Sequence, residues 1–327
     1  METSEINNDF LKIFNSDKYD FIRSNADLKN ILYLALSGSR AYGTNNAGSD
    51  YDLRGFLLED KKYIYGLHDF EQFENTETDT VIYGLQKFVN LCINANPNTI
   101  ELLGIPKNEL VIMSDVGELI HDNRELFLSK RIISSFGNYA LSQLRRLENA
   151  LNIESYDERK KEEHLLNSLT RQTEHFERVH SDFNRGDFNV YLNEENILCI
   201  DMNFKNFPLR DFLSIKSEIS NTFKIYDKLT KRNTKKSPDK LYKHAMHLVR
   251  LLLTGKDILD GFGIITKRKN EHDLLMDIRN GNLSFKEIFE IIDDLENEYK
   301  KSAEKTKLPK APAIGEIEKM LIEIYTD

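Results

Sequence analysis

Residues 30–59 read NILYLALSGSRAYGTNNAGSDYDLRGFLLE, and the reading of this stretch decides the fold. An unbroken apolar run ends at Gly38, the pattern of a buried strand meeting a turn. From Ser49 the chain alternates and then closes apolar, as a second strand would. Within a strand, side chains alternate faces, so Asp50 and Asp52 are expected on one face. Two carboxylates one pleat apart repel each other unless a cation lies between them. Mg2+ (or Mn2+) suits such a pair, because it prefers oxygen ligands and completes its shell with phosphates and water. At the turn, Gly38 lets a ligand approach the backbone, and exposed N–H groups with the Ser39 hydroxyl can hold phosphate oxygens. The stretch therefore predicts an anion cradle facing a metal-binding pair.

Working outward, residues 1 to about 30 read as a helical lead-in, with Phe10, Leu11, Ile13 and Phe14 at helical spacing. Downstream, Asp79 to Tyr83 reads as a strand, followed by an amphipathic helix from about Leu85 that stops near Asn96-Pro97. From about Ile132 the periodicity turns helical, with two long amphipathic helices in IISSFGNYALSQLRRLENAL and EEHLLNSLTRQTEHFERVHSDF. FNVYLNEENILCIDM predicts a hairpin near 188–202. LTKRNTKKSPDK reads as a loop, LYKHAMHLVRLLLTG as a helix ending at Gly255, and LSFKEIFEIIDDLENEYKKSAEK as a helix stopped by the prolines of LPKAP. The fold class expected is α+β: a mixed sheet flanked by helices over 1–131, then a mostly helical domain over 132–327.

Composition sets the outer bounds. The chain has 327 residues, 40% hydrophobic and 30% charged, which is ordinary for a globular protein of about two domains. No apolar window is long enough for a membrane helix, and METSEINNDF lacks the basic start of a signal peptide, so a cytoplasmic protein is expected. Cys92 and Cys199 sit in apolar runs without metal-ligand spacing and read as buried thiols. A net charge of -9 argues against long-range attraction to nucleic acid and leaves room for a local basic groove.

A triphosphate held by backbone amides opposite a metal pair is what nucleotidyl transfer requires. Two-metal chemistry also wants a third carboxylate from a neighbouring strand; Asp79 is the choice, with Glu77 left open. GSRAYGTNNAGSDYDLRG resembles the glycine-serine and Asp-x-Asp signature of the DNA polymerase β nucleotidyltransferase superfamily. More closely it is similar to the bacterial and phage group predicted to act as RNA repair pathway nucleotidyltransferases. The likeness extends through LQKFVNLCINANPNTIELL, KHAMHLVRLL, IRNGNLSFKEI and LPKAP, most of the chain. The resemblance implies metal-dependent transfer of a nucleoside monophosphate from an NTP. Gly38 and Ser39 would then hold the triphosphate, and Asp50, Asp52 and Asp79 the metals. The resemblance leaves the acceptor open, and an RNA end, in RNA repair or tRNA modification, is the leading one. Transfer to a protein or small molecule is the alternative within the chemistry, and a catalytically silent nucleotide-binding regulator the alternative outside it.

Other residues carry two readings. Arg40 is a phosphate ligand or an ion-pair partner of the acidic pair, and Arg54 shares and neutralises the acidic face. Tyr42 and Thr44 shape the loop. Lys240, Lys243 or His244, His247 and Arg250 form one helical stripe. That stripe is either a cationic lid over the nucleotide, with Lys243, His247 and Arg250 as ligands, or a solvated face. Asn96, Asn98 and Glu101 are read as the capped start of a helix in preference to site residues. KRNTKK and TKRK are read as solvated loops before phosphate tracks, and His175 and His180 as helix-surface histidines.

Overall fold

The computed structural model describes residues 8–46, 48–152, 165–167, 169, 170, 172, 173, 176, 187–195, 197–231 and 238–326. The fold class is the α+β one expected: a mixed five-stranded sheet flanked by helices, with a helical C-terminal region. The strands are β1 (Ile31–Leu36), β2 (Leu53–Leu57), β3 (Gln72–Asn75), β4 (Thr80–Gly84) and β5 (Leu110–Met113), in the order β3-β4-β2-β1-β5. β1 pairs antiparallel with β2 and β5, β3 antiparallel with β4, and β2 parallel with β4.

Strand period two gives the sheet two faces. On one, Leu34, Leu53, Leu57 and Ile82 pack with Phe10, Tyr19, Ile22 and Leu28 of the N-terminal segment, whose Asn8–Phe14 and Asp20–Ser24 helices form the expected lead-in. On the other, Tyr33, Phe56 and Phe88 stack in series, with centroids 5.2 and 4.3 Å apart. The Tyr33 hydroxyl is satisfied by donating to the Leu102 carbonyl at 2.7 Å. Arg54 and Tyr83 share the parity of Phe56, since Phe56 pairs with Tyr83 and Arg54 with Val81.

By packing, the chain forms two compact units, residues 1–147 with 238–327, and residues 148–237. The expected division at 131/132 sorted the chain by kind of element. The packing units are drawn by contact, and they group the Pro238–Asp260, His272–Asn280, Phe285–Lys305 and Ile314–Thr326 helices with the sheet. In the second unit, β6 (Phe188–Leu192) and β7 (Leu198–Met202) form the hairpin read from the sequence. Phe188 packs there with Phe176 and Ile215, the latter from the Leu209–Lys231 helix.

Several local expectations are corrected. The helix expected to end at Gly255 runs on to Asp260. Gly255 is there because a Cβ would meet the Tyr299 ring at 2.7 Å and Phe136 at 3.2 Å, so the glycine marks close helix packing and no stop. Leu229–Lys231 of the expected lysine-rich loop is helical, Pro238–Lys240 begins the next helix, and 232–237 lie outside the described residues, as do His175 and His180. TKRK is an irregular loop with Lys267 and Lys269 exposed, as read, but Thr266 and Arg268 are buried within it. Thr266 donates to the Gly104 carbonyl, Lys267 pairs with Glu109, and the buried Arg268 pairs with Asp257 and Glu271. Cys92 is buried as expected, but Cys199 is only partly covered. Among the described residues no helix is long and apolar enough to cross a membrane.

Candidate active site

β1 delivers the chain to Ser37, and the Gly38–Ala41 turn of helix follows. Gly38 has φ +60°, and a Cβ placed on it would collide with Asp52 Oδ2. Only glycine permits both the left-handed backbone and the carboxylate at that distance. The Ser37 N–H donates to the Asp52 carbonyl at 2.8 Å, tying the turn to the segment that precedes β2. β2 begins at Leu53, so Asp50 and Asp52 lie just before the strand and not within it. Asp52 nevertheless has the parity of Arg54 and faces the same side of the sheet, where both line one cavity. Asp50 is exposed and is not among that cavity's lining residues.

Asp79 is not a strand residue. It ends the turn between β3 and β4 with φ +44°, the left-handed conformation that closes a tight hairpin and that Asp tolerates better than most side chains. Its carboxylate comes within hydrogen-bonding reach of Asp52 and pairs with Arg54 Nη2 at 2.7 Å. Burial and then the adjacent Asp79 push the Asp52 carboxyl up to about 6. For Asp79 burial pulls upward, but hydrogen bonds from Arg54 and Asp52 outweigh it and the net direction is down. The two carboxyls titrate as a pair, with Asp52 raised and Asp79 lowered. Glu77 is exposed in the same turn, its N–H bonded to the Asn75 side chain at 3.0 Å.

The opposite wall is the Pro238–Asp260 helix, which supplies His244, His247, Arg250 and Leu251. Its stripe grades from exposed Lys240 and Lys243 to Arg250, only 6% exposed. Lys243 is near enough to draw down the pKa of both Asp52 and Asp79. Burial first, then Arg250, Lys243 and Arg279, press His247 down to about 3, so its imidazole is neutral at physiological pH. Arg250 is engaged by protein: Nη1 pairs with the buried Glu101 Oε1, and the guanidinium lies over the Tyr42 ring at 3.5 Å. The Tyr42 hydroxyl donates to Glu101 Oε2 at 2.9 Å. Burial foremost raises the Tyr42 pKa, which keeps that hydroxyl a donor.

The cavity encloses about 300 Å³. Gly38, Asp52, His247 and Arg250 of the expected site residues line it, with Asp79 and Lys243 acting on it electrostatically. Ser39 is 6% exposed, and it is Ser37 that reaches the lining. Arg40 turns elsewhere: it donates to the carbonyls of Ser49 at 2.9 Å and Asp50 at 3.2 Å, with its guanidinium 3.6 Å from the Tyr51 ring centroid. It clips the loop in place, which is neither of the two readings the sequence offered. Asn96 caps the Pro97–Leu102 helix as read, but Asn98 and Glu101 from the same helix line the cavity. Sequence reasoning did not reach Tyr83, Tyr139 and Gln143. Tyr83 was findable, since its parity matches Arg54 across the parallel pair.

Among the described residues no group of three or more His, Cys, Asp or Glu side chains is arranged to hold a metal ion. The donor chemistry of Asp52 and Asp79 still suits a hard cation, because two adjacent carboxylates that must share a proton are relieved by a divalent ion with oxygen preference. Comparison with curated proteins and with solved structures gave no match. A family model, described as the RNA repair pathway DNA polymerase beta family, matches residues 4–323. That span takes in the Gly38 turn, the two aspartates and the cationic helix alike, and the chain therefore belongs to the RNA repair pathway DNA polymerase beta family, a polymerase β-like nucleotidyltransferase family.

Proposed function

We propose that the protein transfers a nucleoside monophosphate from an NTP to an acceptor hydroxyl, an RNA end in the first instance, and releases pyrophosphate. The observation that carries this reading is the Asp52–Asp79 pair, set beside a glycine turn that admits no Cβ and opposite a cationic helix. Gly38 opens the turn's backbone to phosphate oxygens, and the Ser37 and Ser39 hydroxyls flank it. Mg2+ or Mn2+ held by Asp52 and Asp79 would supply the Lewis acidity that such a transfer needs. The acceptor oxygen forms its bond to the α-phosphorus as the bond to the pyrophosphate oxygen breaks. Its proton passes to the Asp52–Asp79 pair. Lys243 offsets the charge that gathers on the leaving group. Arg250 and Glu101 brace Tyr42, which follows the Gly38 turn directly.

The test incubates the full chain with each α-labelled NTP, Mg2+ or Mn2+, and a pool of RNA, protein and small metabolites. Label on RNA, lost in Asp52→Asn and Asp79→Asn, is the expected outcome. Label on protein or metabolite alone keeps the chemistry and replaces the acceptor. No label and no pyrophosphate with any NTP would sink the enzyme reading in favour of a nucleotide-binding regulator.

A further inference from the structure

Gln143 lines the cavity from the Arg131–Asn152 helix and is only 7% exposed. Its backbone carbonyl accepts from His244 Nε2 at 3.3 Å. The side-chain amide has no hydrogen-bond partner among the described residues, and its Oε1 and Nε2 open on the cavity instead of being sealed behind other atoms. An amide taken that far out of water forfeits bonds it made in the unfolded chain, and a methionine would fill the same space without that loss. A group that costs stability where it stands, with donor and acceptor both turned to a binding cavity, is accounted for by a ligand that completes the two together.

The chemistry of an amide says which part of a nucleotide that is. Phosphate offers only acceptors, so it would pair with Nε2 and leave Oε1 facing an anion. The edge of a nucleobase sets a donor beside an acceptor, the complement of an amide. Tyr139 stands one helical turn before Gln143 and lines the same cavity, with 42% of its surface exposed, so its ring offers a face on which a base can stack. Both residues belong to the part of the wall away from the acids. Gln143 is fixed beside His244, and Tyr139 neighbours Tyr42 and Arg250, whereas Asp52 lies against Gly38 and is acted on by Arg54 and Lys243. The geometry points to Gln143 as the residue that reads the nucleobase of the NTP, with Tyr139 as its stacking platform and adenine as the base. Every base has a donor–acceptor edge, so the amide alone selects none. A purine gives Tyr139 the larger surface to cover. Of the purines, adenine is the one that glutamine holds through two bonds, while guanine is served by a free cation, and Arg250 is committed to Glu101 and Tyr42. This rests on the nucleotidyl-transfer reading and deepens it by naming the base and the residue that selects it.

The experiment measures binding of ATP, GTP, CTP, UTP, 2′-deoxy-ATP and inorganic tripolyphosphate, each with Mg2+, to the full chain and to Gln143→Met and Tyr139→Leu. The unaltered chain should prefer ATP. Gln143→Met is expected to weaken ATP binding roughly fivefold to a hundredfold, the range for one bidentate base contact, and to bring it level with the other NTPs while tripolyphosphate binding holds. Tyr139→Leu should weaken the purine nucleotides more than the pyrimidine ones. Without ligand, Gln143→Met should melt at or above the temperature of the unaltered chain, because it removes an unpaired buried amide. Unchanged ATP binding in Gln143→Met would overturn the inference. So would an equal loss for all the NTPs or a loss that extends to tripolyphosphate, either of which marks a structural residue, or a loss that vanishes with 2′-deoxy-ATP, which marks a ribose contact. An unaltered chain that prefers another NTP overturns adenine. Gln143-dependent preference for ATP without pyrophosphate release supports the base contact while the transfer reading fails, and an unaltered chain that binds no NTP removes both.

Discussion

Asp52 is the residue on which the site's energetics turn. Its carboxyl is raised to about 6, above the usual carboxylate range, so between those values the folded chain holds a proton that the unfolded chain has released. The contribution is present in full below the ordinary carboxylate pKa and is lost as pH climbs to about 6. Melting temperature measured in EDTA should therefore decline as pH rises from about 4 to about 6 and then level off. In Asp52→Asn that decline should disappear, leaving a protein more stable at neutral pH and inactive. Added Mg2+ should recover stability in the unaltered chain and not in the variant. That Asp52 belongs to the site was legible because period two survives past the end of β2: residues 52, 54 and 56 keep one parity even where strand pairing has not begun. Glu101 was obscured for a local reason. It sits five residues after a strong Asn-Pro helix start, and the capping signal accounts for the segment without assigning every side chain in it.

At the scale of the element, the Pro238–Asp260 helix carries its cations on one side and its packing on another. Glycine in a helix interior costs about 1 kcal/mol against alanine, so sequence reading takes Gly255 for an end. The structure gives the compensation: Tyr299 and Phe136 close onto the bare backbone, and the Tyr299 hydroxyl crosses to the Ile132 carbonyl at 2.9 Å. Gly255→Ala is accordingly expected to destabilise by roughly 1–3 kcal/mol through overpacking, despite alanine's better helix propensity. Urea unfolding would register this as a lower midpoint. Nucleotide affinity should be unchanged, because the cavity residues of this helix lie more than a turn before Gly255 or on another face. A gain in stability would show that the contact is looser than described.

Across the whole molecule, the far end of the sequence supports the first half of the fold. Tyr325 donates to Glu59 Oε2 at 2.7 Å, while Oε1 of the same buried carboxylate accepts the Gln86 N–H at 3.1 Å, next to where β4 gives way to the Leu85–Ile93 helix. Ala313 and Lys130 add backbone bonds between the C-terminal segment and residues 126–130. Tyr325→Phe should cost about 1.5–3 kcal/mol, the range for a hydrogen bond to a charged group. Amide hydrogen exchange in the sheet and in the helices of 238–327 should quicken together, since 1–147 and 238–327 pack as one unit. Faster exchange confined to the C-terminal helices would contradict that unity. Order along the chain gave no hint of this closure. Strands and helices announce themselves through periodicity, whereas a contact between residues 59 and 325 leaves no trace in either neighbourhood.

The left-handed backbone at Asp79 has a bearing on how such a site tolerates change. A carboxylate mounted inside a central strand could be moved only by slipping register, which would turn every neighbour to the wrong side of the sheet. Mounted on the last residue of a hairpin turn, beside the edge strand β3, it can be advanced or withdrawn by altering loop length alone. The acidic pair is thus divided between a part locked to the sheet and a part that is adjustable, and the spacing of the two carboxylates can be tuned without rebuilding the core.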